Sequence, residues 1–137
     1  MAYTGNTATL TLSTTAVIGR INSMTWPEIT MGSIDDSDLS TTVNMESIPE
    51  DLADPGEFTA TLVVDDPTEI PQVLGVVETA TITLPLLSGE STAGKITGTG
   101  FLTSAGGGSI ENNTRFESSI TFKFDGKTGP TATAGSA

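Results

Sequence analysis

The stretch Arg115–Asp125 constrains the fold more than any other. Phe116, Ser118, Ile120, Phe122 and Phe124 alternate with Glu117, Ser119, Thr121 and Lys123. A period of two marks a strand with one face buried and one face wet. The same alternation recurs in Ala8–Ser13, where Leu10 and Leu12 oppose Thr9 and Thr11. In Gly56–Asp65, Phe58, Ala60, Leu62 and Val64 share one face. In Glu78–Leu86, Ala80, Ile82, Leu84 and Leu86 point inward against Thr79, Thr81 and Thr83. In Lys95–Ser104, Ile96, Gly98, Gly100 and Leu102 alternate with Thr97, Thr99, Phe101 and Thr103. Val17–Trp26 and Glu28–Ile34 read as two more strands joined around Pro27. Turn-forming clusters at Ser88–Gly94 and Ala105–Thr114 separate the last three.

Threonine makes up nearly a fifth of the chain. It is β-branched, so it favours strands, and its hydroxyl suits an exposed face. Sequential strands with tight turns predict a mainly β fold, an antiparallel sandwich or partly open barrel. The length, 137 residues, fits one domain. We read residues 1–7 as a loose arm, 8–126 as the β domain and 127–137 as a flexible tail.

Two segments break the alternation. Residues 35–55 hold seven acids, two prolines and isolated hydrophobics; this reads as one long acidic loop, of the functional or disordered kind. Residues 66–75 give the single helix expectation. Asp66 can cap, Pro67 suits the first helical position, and Glu69 occupies the capping-box site. Ile70, Val73, Leu74 and Val77 fall at helical spacing. Pro71 removes a backbone bond one turn in, so the predicted flanking α-helix is short and irregular at its start.

Charge is distributed unevenly. Seventeen acids face five bases, a net of −12, and twelve of the acids lie between Asp35 and Glu78, where no Lys or Arg occurs. Gripping nucleic acid by phosphate neutralisation needs cations, so that class is excluded, as is an anionic membrane surface. Mutual repulsion works against close packing of copies at low salt. There is no Cys and no His, hence no disulfide and no thiolate or imidazole metal site. The N-terminus lacks a basic and apolar leader pattern, so a cytoplasmic product is expected. The longest apolar run, Val73–Val77, is too short to span a bilayer.

Catalytic motifs are weak. Gly89–Lys95 follows the phosphate-loop pattern until Ile96 replaces the magnesium-binding hydroxyl, and a strand follows where a helix is needed. Asp35-Asp36-Ser37-Asp38 lacks the alternate ligand spacing, glycine and terminal Glu of a calcium loop. Asp65 and Asp66 are adjacent, so on a strand they diverge rather than flank a glycosidic bond. Asn112-Asn113-Thr114 is a glycosylation sequon without a secretory context. No nucleophile–base pair can be named, so the chain is not expected to be an enzyme, and no cofactor or metal is expected. A lone Trp, Trp26, suits packing or an interface.

Three local patterns carry a family resemblance: Ile34-Asp35 at the mouth of the long loop, Pro55-Gly56-Glu57-Phe58 at its exit, and the closing strand ITFKFDGKTGP. With them the chain resembles the major tail tube proteins of long-tailed (siphovirus-type) bacteriophages from about Ala8 to Pro130. That resemblance implies a β-sandwich or barrel with one flanking helix. Six copies would form a ring, and rings would stack into a tube conducting DNA without binding it specifically. Expected partners are copies of the chain, a tape-measure protein, and terminator or baseplate proteins. The expected location is the virion tail, after synthesis in the bacterial cytoplasm. The loop, with Asp35, Asp36, Asp38, Glu46, Glu50, Asp51 and Asp54, would reach a neighbour, and residues 1–7 and 127–137 would help lock rings together. Thr79, Thr81, Thr83, Thr97, Thr99 and Thr103 are the candidate lumen-facing residues. Closing sheets across copies would satisfy open edges, and an anionic bore would let phosphates slide. The rival expectations are a head decoration or neck protein, and a β-sandwich module binding sugar or protein through Trp26.

Overall fold

The computed structural model describes residues 7–15, 20–38 and 43–137. The expected arm therefore lies, apart from Thr7, outside the described residues. Among the described residues nine strands form: β1 Thr9–Leu12, β2 Arg20–Met24, β3 Thr30–Asp35, β4 Ser47–Asp54, β5 Glu57–Val63, β6 Glu78–Thr83, β7 Lys95–Gly106, β8 Glu117–Phe124 and β9 Thr131–Thr133. All pairings are antiparallel. One sheet has the order β1-β6-β7-β8-β5-β2, with β9 also on β7. A separate sheet holds β3 and β4 alone.

β1, β5, β6, β7 and β8 form on the alternating stretches and turn their apolar faces to one core, but Leu86, expected inward, is exposed, and Val63, placed on the face opposite Phe58, is buried; residues 17–19 of the expected strand Val17–Trp26 lie outside the described residues. Leu10, Leu12, Phe58, Ala60, Leu62, Ala80, Ile82, Ile96, Leu102, Ile120, Phe122 and Phe124 are buried in that core. Phe58 and Phe122 stack at 5.3 Å between centroids, and Phe124 meets Phe122 edge-on at 5.5 Å, both preferred aromatic geometries. Gly98 and Gly100 on the inner face of β7 make room for these rings: a methyl at Gly98 would lie 2.9 Å from the Phe124 ring. The large sheet curls without closing. A groove of about 320 Å³ lies between β2 and the Ala8–β6 side, lined by Ala8, residues 21–26, Ile82 and Leu84.

Three expectations need correction. The long loop over 35–55 is in fact the far part of a hairpin. β3 and β4 pair Thr30 with Asp54, Ile34 with Ile48 and Asp35 with Ser47, with a bulge opposite Gly32. Every residue in both strands is exposed. No core lies under the hairpin, so neither strand needs the alternation that marks a half-buried strand. Pro49 and the acids further disguise β4, and Pro is tolerated there because the strand is an edge.

The α-helix is absent; only a 3-10 turn, Pro67–Glu69, forms. Asp66 caps it as expected, its Oδ1 accepting from Thr68 N at 2.9 Å. Ile70 is extended, with φ −83° and ψ 123°, as the residue before Pro71 must be. Glu69 does not complete the capping box; it accepts from Asp65 N at 3.1 Å.

The tail, expected to be flexible, is tied to the sheet. β9 pairs Thr131, Ala132 and Thr133 with Thr97, Ile96 and Lys95, and Ser136 bridges Thr92. β9 occupies the edge of β7 that β8 leaves open beyond Phe124.

Candidate assembly surface

Edges come first. Among the described residues β1 and β2 are each paired on one side only. A bordering strand exposes a row of unpaired backbone donors and acceptors, a template for another chain.

The hairpin is the second feature. Asp35, Glu46, Glu50, Asp51 and Asp54 lie on or beside it, with Asp36 and Asp38 towards its tip. Several of these acids serve local turns. Asp35 Oδ1 accepts from Ser37 N at 2.9 Å, and Ser37 Oγ accepts from Glu46 N at 2.6 Å. The Ser37 amide holds the Asp35 carboxyl below its ordinary range. Asp54 accepts from Gly56 N at 2.9 Å and from Lys123 Nζ at 3.3 Å. Those two donors, the Gly56 amide foremost, lower its pKa.

Sequence reasoning named the acids but missed the apolar residues among them. Ile29, Met31, Ile34, Val43, Met45, Ile48 and Leu52 are all exposed. Ile34 and Ile48 stand directly opposite one another, so they share a face. The available signal was isolated hydrophobics inside an acidic segment, a pattern that a solvated loop does not need.

The threonine candidates fall on the outer face of the large sheet. Register sets Thr79 beside Thr99, Thr81 beside Thr97, and Thr83 beside Lys95. Thr9 and Thr11 of β1 extend these rows. Thr81 and Thr97 hydroxyls are hydrogen-bonded at 2.5 Å, and Thr99 Oγ1 donates to Asp125 Oδ1 at 2.8 Å. Thr103 is set apart at the bulge of β7, where its hydroxyl donates to Thr121 O at 3.4 Å. Five of the six candidates thus form one polar panel.

Cations are few and mostly matched. Arg20 pairs with Asp65 at 3.0 Å, Arg115 with Glu117 at 2.9 Å and Lys123 with Asp54 at 3.3 Å. Among the described residues no three His, Cys, Asp or Glu converge to hold a metal. No helix among them is long and apolar enough to cross a membrane. The phosphate-loop look-alike has its amides engaged: Ser91 N and Thr92 N both donate to Ser136 O, at 2.8 and 2.9 Å. Glu90 accepts from Leu87 N at 2.8 Å. Trp26, about half exposed, borders the groove between β2 and the Ala8–β6 side.

No protein-family model and no curated protein matches the sequence. A solved structure does match the fold. It is a chain of the cryo-EM structure of an extracellular contractile injection system, PVC sheath/tube terminator in extended state, with a TM-score of 0.70 and 17% identity. The match covers 98% of both chains. At that identity the likeness is one of fold.

Proposed function

We propose that this chain is a structural subunit of a tail-like assembly: a tube protein that assembles with copies of itself and carries no chemistry of its own. The observation behind this reading is the hairpin. A two-stranded sheet exposed on both faces is marginal by itself, and this one displays apolar side chains that none of the described residues covers. A neighbouring subunit would supply that cover. The one-sided pairing of β1 and β2 supports lateral joining, since strands added across copies would continue the sheet. The fold likeness to a chain of a contractile injection system supports the setting.

The finer reading follows the sequence resemblance. Six copies form a ring, rings stack, and the threonine panel of Thr79, Thr81, Thr83, Thr97 and Thr99 faces the lumen. There it offers hydroxyls and few cations to passing DNA. A tape-measure protein and end proteins are the further partners. A second reading, favoured by the fold likeness to a chain of a sheath/tube terminator structure, is a terminator that forms one ring at the end of a tube.

Negative-stain microscopy of concentrated purified protein tests both. Stacked tubes support the tube subunit, and isolated single rings support the terminator. A chain that stays monomeric at high concentration and high salt, even with preformed tube ends added, overturns both.

A further inference from the structure

One surface at the hairpin end of the sheet has the shape and chemistry to receive another copy's hairpin. Trp26, Leu84, Gly94, Lys95, Ala132 and Ala134 line a shallow groove of about 420 Å³ there, together with Glu90, Thr133 and Gly135. It exists because β9 folds back along β7 and brings the C-terminal segment beside Leu84 and Trp26. Its lining is mostly apolar, with one cation. Lys95 is exposed, and it makes no ion pair among the described residues, whereas both arginines and Lys123 are paired within the chain. Glu90, the one acid present, is held by the Leu87 amide.

The hairpin is the matching half. It offers the exposed Ile34–Ile48 pair on one face, flanked by acids and with no Lys or Arg in its two strands. An apolar ridge carrying negative charge fits an apolar groove carrying a positive charge. In a chain of net charge −12, attraction between copies has few cations to draw on.

We infer that the hairpin of one copy docks in the Trp26–Lys95 groove of the next, with Ile34 and Ile48 on the apolar floor and hairpin carboxylates on Lys95. This rests on the self-assembly reading above and adds the receptor to it. Because hairpin and groove are different surfaces, the contact is head-to-tail and propagates from copy to copy.

Two exposed substitutions test it by complementation. Ile48→Asp spoils the hairpin and leaves the groove; Lys95→Glu spoils the groove and leaves the hairpin. Trp26→Ala serves as a second groove variant, and circular dichroism with thermal melts checks that each is folded. Sedimentation velocity should show wild-type polymers, each variant alone stopping short of them because it has lost every hairpin–groove contact, and the mixture forming larger species than either variant, since one such contact per unlike pair is restored. Groove variants that polymerise like wild type, while Ile48→Asp does not, overturn the groove as receptor and leave the tube reading standing. Variants that both fail alone and never complement overturn the head-to-tail contact. Wild-type protein that never associates removes the self-assembly reading itself.

Discussion

Lys123 Nζ on the outer face of β8 meets Asp54 Oδ1 at the base of the hairpin, 3.3 Å away. It is an ion pair between the hairpin and the large sheet, and both side chains are substantially exposed. A solvent-exposed pair adds little to global stability; its consequence is to fix how the hairpin leaves the sheet.

Lys123→Ala should therefore leave the melting temperature almost unchanged while loosening the hairpin locally. Hydrogen exchange should quicken in β3 and β4 and stay constant in β5 and β8. Equal acceleration across the core would show that the pair has a global role.

Phe122→Ala should be severe. The ring is fully buried and stacked on Phe58, and truncating such a residue costs about 3–5 kcal/mol. Urea unfolding monitored at Trp26 should show the midpoint fall with little change in slope.

Gly98→Ala adds only a methyl, yet it should also destabilise, by about 1–3 kcal/mol. The new methyl would press on the Phe124 ring and on Pro130 Cα, both 2.9 Å from its position. Pairing it with Phe124→Leu should recover part of the loss, because the offending ring is removed.

Replacing residues 31–53 by a short Gly-Ser link should leave the large sheet folded and abolish polymers. The hairpin forms its own two-stranded sheet and contributes nothing to the buried cluster. Tubes of normal appearance from this variant would show that the hairpin is not an assembly element.

Salt should promote association. Raising ionic strength from about 0.01 M to 0.1 M shortens the screening length from roughly 30 Å to 10 Å, which weakens repulsion between copies of net charge −12. Light scattering should rise across that range. If hairpin–lysine attraction dominated throughout, the signal would fall instead.

The acid side of the stability profile has a definite sign. Asp35, Asp54, Asp66 and Asp125 are all lowered, in each case chiefly by a backbone amide two residues on. A depressed carboxylate stabilises the fold above its unfolded value, near 3.9 for Asp, and that contribution is lost as pH falls through the lower folded value. Melting temperature should be level from about pH 5 to 8 and fall below about pH 4. Asp66→Asn, which keeps a capping oxygen without the charge, should shrink the part of that fall due to Asp66.

The chain itself determined which strands have a buried face and most of the residues that occupy it, Val63 and Leu86 being the exceptions. Leu10, Phe58, Ile82 and Phe122 could be placed because one-sided burial writes a period of two into the residues, a local signal. The turn at Asp66–Pro67 was likewise readable from capping chemistry, and Pro71 already argued against the helix that the apolar spacing suggested. The strand read at Glu28–Ile34 is β3, but its partner β4, and with it the hairpin, was not legible, nor was the docked tail. β3 and β4 have no core beneath them, so nothing imposes alternation. β9 exists only because β8 stops at Phe124 and leaves an edge of β7 to be paired. The Trp26–Lys95 groove depends in turn on that docking. Such features are set by where distant backbone edges meet, and a backbone edge has the same donors and acceptors whatever side chains it carries, proline apart.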